Sequence, residues 1–296
     1  MMELRALTKR NCKLFFKDKG LFFTSLITPL ILLVLYATFL ARVYKDAFLS
    51  AMPEGIALDT ALVNGMVGGQ LLSSLLAVSC VTVAFCSNML MVQDKINGAY
   101  KDLTMTPVKN TTFALSYFLS TAAATLLICF VALGVGLVYL ACIGWYFTAA
   151  DVLCLMADVL LLGLFGTALS SAVNRKLSTQ GHVSAVGSIV SSCYGFICGA
   201  YMPISSFGSG LQKVLSFLPG TYATSLLRNH CMGGVFRQME ADGLTAQAIQ
   251  SLRDSVDCNI YFFGNKVGIP VMYGVLIGSI AITVAIYTAI SRRKSK

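Results

Sequence analysis

Asp158 is the one acid placed well inside an apolar run. A carboxyl at that depth is costly in lipid and asks for a reason. Either it lines a polar pathway or binds a cationic substrate, or it is protonated or hydrogen-bonded inside a helix bundle, or it is reached by water. Neither histidine supplies an obvious catalytic partner. His182 falls at a cytoplasmic boundary and His230 in an outer loop, so the two do not easily meet. The chain has no HExxH, no pair of intramembrane aspartates, and no GxxxxGKS or GxxxxGKT phosphate loop. It is therefore expected to carry no catalytic residue, no metal and no nucleotide cofactor of its own. An intramembrane hydrolase is a poor fit, because no acid, base and nucleophile converge.

The ten cysteines contain no CxxC pair. Cys80, Cys86, Cys129, Cys154, Cys193 and Cys198 lie in apolar runs and read as buried thiols. Cys231 and Cys258 bracket Gly233–Asp257, which reads as a polar outer loop rich in turn residues. They form either an external disulfide, contributing on the order of 3 kcal/mol, or two free thiols.

The elements that must position these residues follow from composition. Hydrophobic residues make up 56% of the chain and charged residues 12%, about half the charge of an ordinary soluble domain. This is a polytopic, all-α membrane protein. Residues 1–20 are basic and amphipathic, with Leu4, Leu7, Leu14 and Phe15 on one side and Arg5, Lys9, Arg10, Lys13 and Lys17 over the other. Such a helix lies in the membrane interface rather than acting as a cleaved signal. Six spans follow, at about 21–41, 61–91, 112–142, 151–172, 183–202 and 267–290. The first contains Pro29 and leads to a polar loop with Arg42, Lys45, Asp46, Glu54 and Asp59. The second is long and carries Gly65, Gly69, Gln70, Ser73, Ser74, Ser79, Thr82 and Asn88, a content suited to facing protein or a pathway. Gly144, Trp145 and Tyr146 mark an interface belt after the third.

Charge sets the orientation. Residues 1–20, 92–112, 173–182 and 291–296 hold 15 Lys and Arg against 4 Asp and Glu, while the remainder holds 7 against 9. The positive side is cytoplasmic, so both termini are expected inside a plasma membrane. The same asymmetry accounts for the net charge of +9, and no nucleic-acid partner is needed to explain it.

The stretch from Val183 to Arg228 organises the rest. Ser184, Ser188, Ser191, Ser192, Gly195 and Gly199 recur at helical spacing, which lets a neighbouring backbone approach closely in lipid. Pro203 breaks that helix. Leu211, Val214, Leu215 and Leu218 then give an apolar stripe of about two turns before Pro219, too short to cross the bilayer. Either the segment dips into the outer leaflet and returns, or an ordinary span is followed by a surface helix. On the cytoplasmic side, residues 92–112 form a charged break with Asp94, Lys95, Lys101, Asp102 and Lys109. Within it, Ala99–Thr106 between Gly98 and Pro107 reads as a short amphipathic helix. It is either a dock for a soluble protein or a plain connection.

These features together resemble the type-2 ABC exporter permeases, membrane subunits that pair with a separate ATP-binding cassette protein. The resemblance rests on the basic N-terminal helix, the six-span layout, and the inner run Asp94…Gly98…Leu103-Thr104-Met105-Thr106-Pro107. Most specific is the outer pattern Gly199-Ala200-Tyr201-Met202-Pro203-Ile204 … Leu218-Pro219-Gly220-Thr221-Tyr222 … Leu227-Arg228. It implies a dimer with the pathway between two six-helix halves, bordered by the second and fifth spans. Residues 1–20 become a connecting helix. Gly98, Tyr100, Leu103, Thr106 and Pro107 belong to a coupling helix seated in a groove of the ATPase. Pro203, Pro219, Tyr222 and Arg228 belong to re-entrant outer helices. The long cysteine-bearing loop after Arg228 departs from the polysaccharide exporters, whose outer loops are usually shorter.

The expected organisation is thus a connecting helix (1–20), spans one to five with the coupling loop 92–112 (21–202), an extracellular re-entrant region (203–265), and a sixth span with a basic tail (266–296). The expected function is that of an ABC exporter permease moving a drug, lipid-linked molecule or peptide. Its partners are an ABC ATPase subunit that binds ATP and Mg, a second permease copy or paralogue, and membrane lipid. The alternative is a membrane sensor that binds an extracellular ligand through 203–265.

Overall fold

The computed structural model describes residues 2–35, 38–39, 41–42, 45–46 and 59–293. Tyr36, Ala37 and Leu40 of the first span, Glu54 in the loop after it, and 294–296 of the tail lie outside the described residues. Helix α1 (Met2–Lys17) meets α2 (Lys19–Leu35) at a bend of 73°. Asn11 and Phe15 of α1 are buried while its basic face stays open, so the helix lies against the end of the bundle.

Helix α3 (Thr60–Ser87) starts on Asp59, whose carboxylate accepts the Ala61 amide. It has no polar stripe. Almost all of it is buried, 89% of its most apolar window, and an apolar helix with no preferred face belongs at the centre of a bundle. Short helices α4 (Met89–Ile96) and α5 (Ala99–Thr104) follow at the end of the bundle that holds α1. Helices α6 (Asn110–Ile143), α7 (Ala149–Asn174) and α8 (Gln180–Ile197) follow in turn. After a 3₁₀ turn at Ile204–Ser206 come α9 (Ser209–Leu215), α10 (Pro219–Ala241) and α11 (Ala246–Ser255). A two-stranded hairpin, β1 (Tyr261–Phe262) with β2 (Asn265–Lys266), pairs Tyr261 with Lys266 and leads into α12 (Ile269–Arg293). Around α3 pack α2, α6, α7, α8 and α10. Helix α12 lies at the edge against α6, α7 and α10, with 11% of its apolar window buried.

Among the described residues four helices are long and apolar enough to cross a membrane: α3 with α4, α6, α7 and α12. Counting the bent α1–α2 pair as one span makes five. Helix α8, where a fifth span is expected, is 18 residues long and is not among them. Its serines and glycines lower its hydropathy, so length and composition alone do not mark it.

The largest departure from expectation lies after Arg228. The sequence reads Gly233–Asp257 as a loop, yet α10 continues to Ala241 and α11 fills Ala246–Ser255. Helix α10 is buried from Gly220 through Arg228 and again at Cys231–Phe236 and Met239, packed along α3, α7 and α12. Its polar residues hide it from hydropathy because they bond within the helix. Thr224 Oγ1 donates to the Gly220 carbonyl at 3.0 Å, and Asn229 Nδ2 to that of Ser225 at 2.9 Å. Close approach is made at Gly69, where an added Cβ would lie 3.0 Å from the Cys231 carbonyl oxygen of α10.

Candidate functional site

The assembly beside α1, called inner after the orientation expected from charge, is built around α4 and α5. Gly98 joins them at φ +82°, a left-handed backbone that glycine adopts without strain. Every residue of α5 is at least partly open, and Met105 just beyond it is 76% exposed. Leu103 is half-buried, and Thr106 and Pro107 face outward with Met105. Tyr100 turns the other way. Arg175, at the end of α7, donates from Nη1 to the Tyr100 hydroxyl at 2.8 Å, and its guanidinium lies 5.5 Å over the same ring.

The preceding turn is tied down harder. Asp94, 6% exposed, accepts from Arg10 Nη1 of α1 at 2.7 Å and from the Tyr117 hydroxyl of α6 at 2.5 Å. Lys95 Nζ donates to the carbonyls of Asn174, Arg175 and Leu177 at 3.2, 2.8 and 2.9 Å. They belong to the end of α7 and the turn that follows it, where carbonyls lack full helical pairing. Asn88, at the break between α3 and α4, donates to Ser170 and Ser171 of α7 at 3.2 and 2.9 Å. The α4–α5 unit is thus fastened to α1, α6 and α7 by charge-assisted or fully buried hydrogen bonds, and its far side is open.

Beside it a cleft of about 640 Å³ opens between α2, α4 and α8. Ser184, Ser188, Ser191 and Ser192 line one wall, facing Leu21, Thr24 and Gln93. Gly195 lies above this wall, and a Cβ there would run into the Tyr201 ring at 2.2 Å. Gly65, Gly69 and Gln70 lie elsewhere, away from this cleft. Gly65 packs on Tyr146 and Val235, and Gly69 on Met232 and Cys231. Gln70 is fully buried, and its side-chain amide has no protein partner.

A second assembly, called outer on the same expectation, centres on Arg228, 1% exposed. Its Nη1 donates to Asp257 Oδ2 at 3.1 Å and its Nη2 to the Gly199 carbonyl at 2.6 Å. Asp257 also accepts the backbone amides of Ile204 and Ser205, just after Pro203. Burial holds the Asp257 carboxyl above the ordinary carboxylate range despite the opposing pull of Arg228. One ion pair therefore joins the end of α8, the turn after Pro203, α10 and the segment after α11. Pro219 opens α10, and the Tyr222 hydroxyl donates to the Ser216 carbonyl at 2.5 Å. Sequence reading singles out Arg228 but misses Asp257. Their 29-residue separation gives no local signal.

Two further expectations meet the structure here. Cys231 and Cys258 are both buried free thiols, so the disulfide alternative is not what the fold contains. Cys231 sits within α10 rather than in a loop, and burial pushes the Cys258 thiol up to about 12. His230 likewise belongs to α10, with Nδ1 2.6 Å from Asp158 Oδ2; the Tyr273 hydroxyl donates to Asp158 Oδ1 at 2.6 Å. Asp158 is thus hydrogen-bonded within the bundle, joining α7, α10 and α12. Among the described residues no group of three or more His, Cys, Asp or Glu side chains is placed to hold a metal ion.

The sequence model of the ABC-2 type transporter family matches residues 2–231. The chain belongs to the ABC-2 type transporter family. No curated protein matches it. The matched region of this ABC-2 protein contains the whole inner assembly, the serine-lined cleft, Pro203, Pro219 and Arg228, and it ends before Asp257 and Tyr273. Membership makes the chain a multi-pass membrane permease subunit of an ABC transporter system, a type of subunit that is generally non-catalytic.

Proposed function

We propose that this ABC-2 permease exports an amphipathic substrate (a drug, a lipid-linked molecule or a peptide) across the plasma membrane. The work is done by a separate ATPase subunit that binds ATP and Mg. That subunit docks on the cytoplasmic side against Gly98–Pro107, and both termini lie on the same side. A second permease copy or a paralogue completes the pathway, with the Ser184–Ser192 face of α8 towards it.

The observation that carries this reading is the construction of α4–α5. Its outward face, with Met105, Thr106 and Pro107, is open. Its inward face is bonded to α1 through Arg10, to α6 through Tyr117, and to α7 through Lys95 and Tyr100. A push on such a unit displaces three helices together, whereas a flexible connection would absorb it. Coupling further requires that substrate and nucleotide state each favour one arrangement of those helices. The test is purification in detergent with identification of bound proteins by mass spectrometry, followed by substrate-stimulated ATPase assay of the complex. Recovery of an ABC ATPase that is lost on scrambling 98–107 is the expected result. Normal transport with the scrambled loop refutes the role.

A sensor remains the second reading because of one feature. An outer cavity of about 610 Å³ lies between α9 and the segment after α11, lined by Lys213, Asp254, Asp257 and Tyr261 among others. Co-purification of a kinase in place of an ATPase favours it.

A further inference from the structure

Two cavities on the bundle surface, away from the α8 cleft, share Gly68 and Tyr139. The first, about 290 Å³, lies near the ends of α3 and α6 bordering the connection from α2 to α3. Arg42, Lys45, Asn64 and Tyr139 give it its polar lining. The second, about 210 Å³, runs on from it along α2, α3 and α6, and its lining is apolar apart from Tyr139: Leu33, Leu71, Leu72, Leu75, Val135. Among the described residues lining either cavity there is no carboxylate. Leu33, Val135 and Tyr139 are each between 44% and 54% exposed, so the groove opens sideways from the bundle.

The lining changes in the same sense along both helices α3 and α6, polar at the α2–α3 connection and apolar toward the middle. From Asn64 to Leu75 along α3 is eleven residues, about 16 Å at the helical rise. One leaflet of a hydrocarbon core is about 15 Å deep. The site is therefore cationic at headgroup level and apolar over one leaflet. Arg42 and Lys45 also stand against the charge asymmetry of the chain, since they fall on the side poor in basic residues.

We propose that Arg42 and Lys45, with the groove below them, hold an anionic phospholipid, its phosphate on the two cations and one acyl chain against Leu71, Leu72 and Val135. Under the topology of the proposed function this is an outer-leaflet lipid. Binding itself needs neither that sidedness nor an ATPase.

The test is native mass spectrometry of the purified full chain in mixed micelles of phosphatidylglycerol and phosphatidylcholine with matched chains. Two cations near an anionic headgroup predict retention of phosphatidylglycerol about thirtyfold over phosphatidylcholine. Arg42→Gln with Lys45→Gln brings that ratio close to one. Val135→Trp, a change at an exposed position, lowers retention of both lipids, and glycerol phosphate without acyl chains does not compete. A wild-type ratio near one, or an unchanged ratio in the double variant, overturns the proposal. So does competition by glycerol phosphate as strong as by the lipid, or a result in which these substitutions split an oligomer and leave lipid retention alone. Every readout is made without the ATPase and in micelles that have no sides, so failure of the transport reading leaves it unmoved.

Discussion

Arg175 both donates a 2.8 Å hydrogen bond to the Tyr100 hydroxyl and lays its guanidinium over the Tyr100 ring. The residue that ends α7 is thereby fastened to the first turn of α5. Arg175 is 3% exposed and its Nε has no protein partner, so the Tyr100 hydroxyl is a substantial part of what compensates its burial. Tyr100→Phe keeps the ring and removes that acceptor, a loss of about 1.5–3 kcal/mol for a bond to a charged group. The expected outcome is normal membrane insertion and partner binding with substrate-stimulated ATPase activity reduced at least fivefold. Tyr100→Ala, which also removes the ring, loses more. Equal stimulation in wild type and Tyr100→Phe would show that this bond carries no coupling.

Gly98 makes a separate prediction through backbone alone. A Cβ at Gly98 meets nothing within 4 Å, so any effect of substitution comes from its φ of +82°. Non-glycine residues pay about 1–2 kcal/mol in that region, and Asn pays least. Transport in reconstituted vesicles should therefore fall in the order Asn, Ala, Val, with expression unchanged across the series. A flat series means that α5 does not need its present direction.

How much of this was readable beforehand depends on whether the signal is local. Gly98 with Pro107 nine residues on announces a short helix, and Ala99–Thr104 is one. The apolar length of 61–91 announces a span, and Thr60–Ile96 is the most buried of the four. The serine spacing of α8 announces a face for close approach of another helix, whereas among the described residues those serines are exposed and line a cleft. What escapes are pairings between distant residues and polar helices. Arg10 reads as part of a solvated basic face, yet it reaches Asp94, 84 residues away. The part of helix α10 from Gly233 to Ala241 reads as a loop because its sequence is polar, and only the bundle shows that the preceding Thr221, Thr224 and Ser225 hydroxyls are satisfied within the helix and its neighbours.

The α8 cleft yields a steric prediction. Ser188 is exposed on its wall, so Ser188→Ala changes little, whereas Ser188→Trp adds bulk to the cavity without entering the bundle core. Thermal stability should match wild type for both. Transport should drop at least tenfold for tryptophan alone if the cleft belongs to the pathway. Unchanged transport by Ser188→Trp assigns the cleft another role.

The Arg228–Asp257 pair offers the sharpest stability test, because its two halves should behave differently. Arg228→Met leaves Asp257, 3% exposed, without its cation, and breaking a buried pair in this way costs about 3–5 kcal/mol. Asp257→Asn costs less. With its oxygen at the Oδ2 position the asparagine still accepts the Ile204 amide and the Arg228 guanidinium; only the longer 3.3 Å bond from the Ser205 amide is lost, and the desolvation of one charge is relieved. The pH dependence has a definite sign. Burial raises the Asp257 carboxyl above its ordinary 3.8, so the folded chain binds this proton more readily than the unfolded chain. The stability contributed by that difference is full below pH 3.8 and is lost as pH rises through the folded value. Asp257→Asn removes the slope in that window and leaves the rest of the profile. Thermal unfolding followed between pH 3.5 and neutrality (about 7), wild type against both variants, measures it. Equal losses from both substitutions would mean that the backbone amides, rather than the ion pair, hold the turn after Pro203 in place.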